Sequence, residues 1–206
     1  MQITTPKGPH GIIHIRSHNA LFQVALLRHP PVSLPVGICY GRTDIALAPG
    51  WQSWAVARAA ELRADAQRPW ERVWSSPLSR CASVAAALGA RMALLPVLDS
   101  RLTELDFGTW EGQAWADLPR DEIDRWAADP RHFSPPGGES GAALIARVSG
   151  FARMLIEEAR SCIVVSHGGP LRLLPALLRE QPPDLLAEAP ATGALLRLRV
   201  VAPLVR

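Results

Sequence analysis

Val24-Ala25-Leu26-Leu27 is an apolar run that stops abruptly at Arg28-His29-Pro30-Pro31. Four such residues suit a strand buried on both faces, and two prolines cannot extend it. The run predicts a strand over Leu21 to Leu27 that delivers Arg28 and His29 to its own carboxyl end. In an open sheet covered by helices, that edge is where ligands bind. A strand merely reaching solvent would also end in charge, so the weight falls on how the other strands end.

The rest of the chain alternates between short apolar runs and helical patterns. Pro30 to Gly50 reads as a loop and Trp51 to Ala66 as a helix with Trp54, Ala57 or Arg58, and Glu61 to Leu62 on its buried stripe. Arg72 to Trp74 reads as a second strand running into Ser75-Ser76-Pro77-Leu78-Ser79-Arg80. Serine before proline is a favourable N-cap and first-turn pair, so a helix is expected over Leu78 to Leu88 with Arg80 in its first turn. Arg91 to Leu95 reads as a third strand. Val97 to Pro136 is irregular and is expected to form a lid. A helix over Glu139 to Ala159 carries Leu144, Val148, Phe151 and Leu155 at the helical period. Cys162 to Val165 is a further strand, turned by Ser166-His167-Gly168-Gly169-Pro170 into a helix over Leu171 to Glu180. Leu195 to Val201, with Arg197 and Arg199 alternating outward, closes the series as an edge strand.

Strands alternating with helices imply an α/β three-layer sandwich: a mostly parallel sheet, helices on both faces and a lid over its carboxyl edge. The expected organisation is an N-terminal arm over residues 1–20 and one domain over 21–206, with the lid at about 97–136.

Composition narrows the function. Lys7 is the only lysine among 22 basic residues, and the arginines lie scattered between acids with no basic run, which argues against nucleic acid. No apolar run approaches the roughly 20 residues that span a bilayer. Pro6, Gly8, Pro9, His10 and Gly11 interrupt any signal-like core, so a cytoplasmic protein with no membrane partner is expected. Cys39, Cys81 and Cys162 show no paired spacing and are expected as small buried apolar residues. His10, His14 and His18 fall at helical spacing, but Pro9, Gly11 and three isoleucines oppose a helix there, and no metal site is expected.

In a parallel sheet, Arg28-His29, Ser75-Ser76 with Arg80, and Ser166-His167-Gly168 all end on one edge. Two imidazoles and two guanidiniums converge there. The Gly168 and Gly169 amides open a helix, a favourable seat for an anion. Fixed positive charge and fork-shaped donors of this kind suit a phosphate dianion.

The constellation resembles the histidine phosphatase superfamily, also called phosphoglycerate mutase-like, over about Leu21 to Glu180. The matching motifs, in order, are Leu27-Arg28-His29, Ser75 to Arg80, Leu102-Thr103-Glu104-Leu105-Asp106-Phe107-Gly108-Thr109-Trp110-Glu111-Gly112, Pro136-Gly137-Gly138-Glu139-Ser140, and Val165-Ser166-His167-Gly168-Gly169. The resemblance implies a phosphomonoester hydrolase with His29 as nucleophile and Glu104 as proton donor, while Arg28, Arg80 and His167 hold the phosphate, with no cofactor or metal. Cys39-Tyr40-Gly41-Arg42-Thr43-Asp44 and a short lid look most like the α-ribazole phosphatase branch, which serves cobalamin synthesis. That implies α-ribazole 5′-phosphate as the small-molecule partner, its base stacked on Trp110, Trp115 or Trp126. Pro30 stands where the family usually has glycine, and proline has no N–H to offer a phosphate oxygen. Ser33, Arg42 and Thr43 are the expected substitutes. A phosphoglycerate mutase-type transfer and a non-catalytic phosphate-binding module are the alternatives, and a homodimer is the assembly envisaged.

Overall fold

A computed structural model describes residues 20–202. The expected arm and its three histidines lie outside the described residues, apart from Ala20, which opens the first strand. In chain order the elements are β1 (Ala20–Arg28), α1 (Trp51–Ala64), β2 (Arg72–Ser75), α2 (Ser79–Met92), β3 (Pro96–Leu98), α3 (Arg120–Ala128), α4 (Gly141–Glu158), β4 (Cys162–Ser166), α5 (Gly168–Leu177) and β5 (Leu195–Ala202). Three single 3₁₀ turns, Ser100–Leu102, Gly108–Trp110 and Trp115–Asp117, fall between β3 and α3.

The sheet runs β3-β2-β4-β1-β5. Its first four strands are mutually parallel, and β5 pairs antiparallel with β1 at the edge. Alternation along β1 splits the core. Val24 and Leu26 pack with Leu144, Val148, Phe151 and Leu155 of α4 and with Leu171 and Leu174 of α5. Ala25 and Leu27 face the other way, against Ala59 and Leu62 of α1 and Val84 and Leu88 of α2. All five residues of β4 are buried, as a central strand covered on both faces requires. The three-layer sandwich is thus present, and its parallel register brings Arg28 opposite Ser166 and Val165 opposite Ser75. At the β5 edge, Arg197 points outward to Glu61 and Asp65, and Arg199 to Gln67.

The lid has a small core of its own, in which Cys39, Trp110 and Leu118 pack with Phe107, Ile123, Trp126 and Phe133. All three cysteines are free and buried. No helix among the described residues is long and apolar enough to cross a membrane.

Three expectations need correction. The helix expected over Leu171 to Glu180 runs from Gly168 to Leu177, so Gly168 and Gly169 lie in its first turn and not before it. The third strand is Pro96–Leu98, not Arg91 to Leu95, because α2 continues through Met92 and the chain reverses at Ala93. Met92 and Leu94 do pack on the core, but as a helix end and its turn; the proline opens an edge strand, where its missing donor costs nothing. On α1 the buried stripe is Ala55, Ala59 and Leu62: Leu62 falls where expected, while the first two turns bury Ala55 and Ala59, each one position past Trp54 and Arg58. Small alanines let the helix approach the sheet, and Trp54 packs at the margin.

Ala93 ends α2 in the left-handed region at φ 56°, its N–H donating to the Gly89 carbonyl, and it is exposed. Glycine is the residue this cap favours. Ala93→Gly is expected to raise stability by roughly 0.5–1 kcal/mol, and a urea unfolding curve measures it.

Candidate active site

The strands place the groups and the turns aim them. The His29 N–H donates to the Ser166 carbonyl at 3.1 Å, which carries the β1–β4 ladder one residue past Arg28. The His29 ring then lies 5.2 Å, centroid to centroid, from that of His167. His29 is 1% exposed and His167 and Arg80 not at all. His29 Nδ1 is 2.7 Å from the Pro30 carbonyl oxygen. A carbonyl only accepts, so Nδ1 carries the proton and Nε2 keeps its lone pair. Burial lowers the pKa of this imidazole to about 4; the Pro30 contact opposes the shift and the charges of Arg80 and Arg28 add to it.

His167 is also neutral, held well below the ordinary range by burial first and then by Arg80, His29, Arg28 and Arg147. Its Nδ1 accepts from Arg80 Nε at 3.2 Å, which leaves Nε2 to donate to Ser76 Oγ at 2.8 Å. Arg80 reaches the carbonyls of Thr43 (2.8 Å) and Gly41 (2.5 Å), and its guanidinium lies 5.3 Å from the Tyr40 ring centre. Gly41 must be glycine: a Cβ there would lie 2.0 Å from the Leu105 carbonyl oxygen. The loop is tied down by Glu111, whose carboxylate accepts from the N–H groups of Arg42 (2.8 Å), Thr43 (2.6 Å) and Phe107 (3.0 Å) and from the Thr43 hydroxyl.

Glu104 arrives from the opposite side. Its carboxylate accepts from the N–H of Gly169, in the first turn of α5, at 3.0 and 3.3 Å. A Cβ on Gly169 would sit 2.3 Å from that carboxylate, so the close approach needs glycine. Arg28 donates from Nη1 to the Pro190 carbonyl at 2.6 Å and lies against Gly168. Arg28, His29, Glu104, Gly168 and Gly169 line one cavity of about 320 Å³, whose other wall is apolar: Ile38, Tyr40, Phe107, Trp115 and Trp126. That volume is at the small end for a ligand pocket. Arg80 and His167 stand directly behind the polar end.

Of the expected site residues, Arg28, His29, Arg80, Glu104, His167 and Gly168 are therefore brought together. Ser33, Arg42, Thr43 and Trp110 are not among the residues lining the cavity. The Ser33 hydroxyl donates to the Leu47 carbonyl, and Arg42 is drawn to Asp106 and Glu139 at 3.5 and 3.4 Å. Thr43 contributes its carbonyl to Arg80 while its hydroxyl goes to Glu111. Trp110 is 1% exposed and donates from Nε1 to Glu122 at 2.7 Å, so it builds the lid instead of facing the cavity. Sequence reasoning missed Ser76 as the partner of His167, and missed Tyr40 and Arg172 in the cavity wall. Arg172 lies four residues past Gly168 on the same helix, a spacing that puts both on one face. Among the described residues no group of three or more His, Cys, Asp or Glu could hold a metal ion.

The sequence profile of the histidine phosphatase superfamily, branch 1, matches residues 24–200. The chain is 31% identical over 188 residues to a glucosyl-3-phosphoglycerate phosphatase of Mycobacterium tuberculosis, covering 84% of this chain and 81% of that one. Phosphoserine phosphatase 1 of Hydrogenobacter thermophilus is 29% identical over 164 residues, with 75% and 74% covered. A bifunctional protein of M. tuberculosis is 37% identical over 107 residues, half of this chain but only 29% of that protein's length. Among solved structures, the α-ribazole phosphatase of Shigella flexneri superposes with a TM-score of 0.76 at 25% identity, with 88% of this chain and 96% of that one covered.

The histidine environment sets a pH dependence of folding. His29 binds its proton near pH 6.5 when unfolded and near 4 when folded, so between those values the unfolded chain holds more protons. Stability from this group is complete above about pH 6.5 and is lost as pH falls towards 4, and His167 acts in the same direction. The urea midpoint is expected to fall steadily from pH 7 to pH 5, each titrating histidine contributing up to about 1.4 kcal/mol per pH unit. His29→Ala should flatten that slope; a wild-type midpoint constant over this range would contradict the buried neutral histidines.

Proposed function

The chain belongs to branch 1 of the histidine phosphatase superfamily, and from that premise we propose that it hydrolyses small phosphate monoesters through a phosphohistidine on His29. The observation that carries this reading is the bond from His29 Nδ1 to the Pro30 carbonyl, which leaves the Nε2 lone pair as the free nucleophilic nitrogen. Nε2 attacks phosphorus, the ester P–O bond breaks, and protonated Glu104 gives its proton to the departing alkoxide. Ionised Glu104 then takes a proton from water as the water oxygen attacks phosphorus; the P–N bond breaks, its electron pair returns to Nε2, inorganic phosphate leaves and both residues are restored. Arg28, Arg80 and the α5 amides balance the charge on the equatorial oxygens. Burial supports the first step, because an imidazole with a pKa of about 4 is unprotonated at neutral pH.

Two observations bear on the alcohol half of the ester. Trp115 and Trp126 share the cavity with His29, which supports a planar base such as that of α-ribazole 5′-phosphate. Arg172 also lines that cavity; it donates to the Leu185 carbonyl, and among the described residues no acid pairs with it. A guanidinium without an acid partner favours instead a second anionic group on the substrate, as in the esters for which the phosphoserine and glucosyl-3-phosphoglycerate phosphatases are named.

His29→Ala is expected to abolish both turnover of p-nitrophenyl phosphate and acid-labile phosphate labelling. Glu104→Gln should lower kcat by about 10²-fold or more with substrate binding retained. Wild-type activity in His29→Ala would overturn the mechanism. Phosphate migration on 3-phosphoglycerate in place of phosphate release would identify a mutase, and neither reaction a binding module. Across a panel of esters, Arg172→Met should raise KM for carboxylate-bearing substrates selectively if a second anion is recognised, and leave the preference for α-ribazole 5′-phosphate intact if a base is.

A further inference from the structure

Glu104 sits on a stretch with no regular structure to hold it. Residues 104–107 belong to neither helix nor strand, and the 3₁₀ turn before them ends at Leu102. The carbonyls of residues 101–104 nonetheless have partners. Arg147, on α4, donates from Nη1 to the carbonyls of Arg101 (2.8 Å) and Thr103 (2.6 Å), and from Nη2 to the carbonyl of Glu104 itself (3.0 Å). The Leu102 carbonyl, pointing the other way, accepts from Ser166 Oγ at 2.7 Å. Four successive carbonyls are thereby fixed, three of them by one guanidinium.

That guanidinium is in turn held rigidly. Its Nε and Nη2 each donate at 2.8 Å to the two oxygens of Glu139, a bidentate pair whose side chains are only 15% and 10% exposed. All five donors of Arg147 are used, a geometry that lysine cannot reproduce. Glu139 is fixed by its own N–H on the Asp106 carbonyl (2.9 Å), two residues past Glu104. The clamp therefore grips the acid's backbone from both sides while the Gly169 amide takes its carboxylate.

We propose that Arg147 is a positioning residue that sets the carboxyl of Glu104 at the leaving-group oxygen and at the attacking water, without touching substrate itself. The inference rests on the reading of Glu104 as proton donor. Removing the clamp lets the backbone at 101–104 relax, so proton transfer suffers while the phosphate seat, built on β1, β4 and α5, keeps its partners.

Leaving groups tell this apart from a purely structural loss. Dinitrophenolate departs without a proton; an alkoxide needs one. Single-turnover phosphorylation of the enzyme is measured with 2,4-dinitrophenyl phosphate and with glycerol phosphate, each rate normalised to the active sites counted by burst. In Arg147→Met the ratio of the alkyl rate to the dinitrophenyl rate is expected to fall at least about tenfold, part of what a general acid supplies. Arg147→Lys should rescue little of it. Phosphohistidine should accumulate from the dinitrophenyl ester, because water attack needs the same carboxylate. The pair E139Q with R147M removes both buried charges together and repeats the measurement if Arg147→Met alone folds poorly. An unchanged ratio in these variants overturns the proposal. Glu104→Gln is the benchmark: if its ratio is also unchanged, Glu104 is not the acid, and the inference falls with that reading, whereas a changed ratio in Glu104→Gln alone overturns the role of Arg147 only.

Discussion

A guanidinium fully withdrawn from water, with no carboxylate paired to it among the described residues, stands at the centre of the sheet's carboxyl edge. Arg80 is held instead by two carbonyl dipoles and an imidazole nitrogen. Burying a charge on dipoles alone is costly, and an acid partner would be the cheaper solution for stability. It would also cancel the field. By satisfying Arg80 with neutral acceptors, the fold keeps its positive charge directed at whatever enters the cavity. The neighbouring histidines respond as that field demands. With water excluded and Arg80 and Arg28 close by, neither imidazole takes up a second proton at neutral pH, so His29 is left with a free Nε2 lone pair and His167 as a neutral donor-acceptor bridge from Arg80 to Ser76. The supporting loop is part of the same design, since Glu111 fixes the amides of Arg42 and Thr43 and so aims the carbonyls that Arg80 needs.

Pro30 shows how a residue that lacks a donor fits such a site. Its ring lines a separate surface depression with Pro31, Pro49, Trp51 and Trp54, away from the cavity. What reaches His29 is the carbonyl, and carbonyl direction is set by ψ, which proline leaves free while fixing φ. Proline offers no N–H beside His29. The tautomer of His29 is set all the same, because the Pro30 carbonyl takes the Nδ1 proton's hydrogen bond.

Arg28, His29 and His167 were legible in the sequence because strand ends are, and Arg80 because Ser76-Pro77 announces the helix whose first turn it occupies. Arg28-His29 and Ser166-His167 each follow a short apolar run and are followed by a proline or glycine that forces the chain to turn, so local rules alone bring them to one edge. Glu104 was visible only through resemblance, for nothing in its surroundings has a period. Arg42, Thr43 and Ser33 were misplaced for a physical reason: the course of the loop after Pro30 is decided by Glu111, 69 and 68 residues further along at Arg42 and Thr43, and no local pattern encodes that contact. The stripe on α1 failed differently. Hydrophobic size suggested tryptophan facing the sheet, whereas close packing of helix on sheet selected alanine.

The lid explains why the chemistry is easier to derive than the substrate. The phosphate end of the cavity comes from β1, β4 and α5, whose positions the sheet fixes. The apolar end comes from Ile38, Tyr40, Phe107 and Trp115 on connections and from Trp126 on α3, outside the sheet. Trp115 and Trp126 stack at 6.0 Å and 21°, while Trp110 stacks on Phe133 at 6.0 Å and 28°. Aromatic packing of this kind leaves the rings mutually dependent, so the shape of the apolar wall follows from the whole cluster rather than from any one residue. Trp110, which does not line the cavity, packs edge-on against both tryptophans that do, at 6.4 Å from Trp115 and 6.0 Å from Trp126. Substitutions within the cluster can reshape what the cavity admits without disturbing His29, Arg80 or Glu104, because none of those groups depends on an aromatic ring of the lid core for its hydrogen bonds. The aromatic wall and the polar end are thus packed largely apart in one chain, and they meet where the Tyr40 ring lies against Arg80 and where Phe107, three residues past Glu104, packs with both cores.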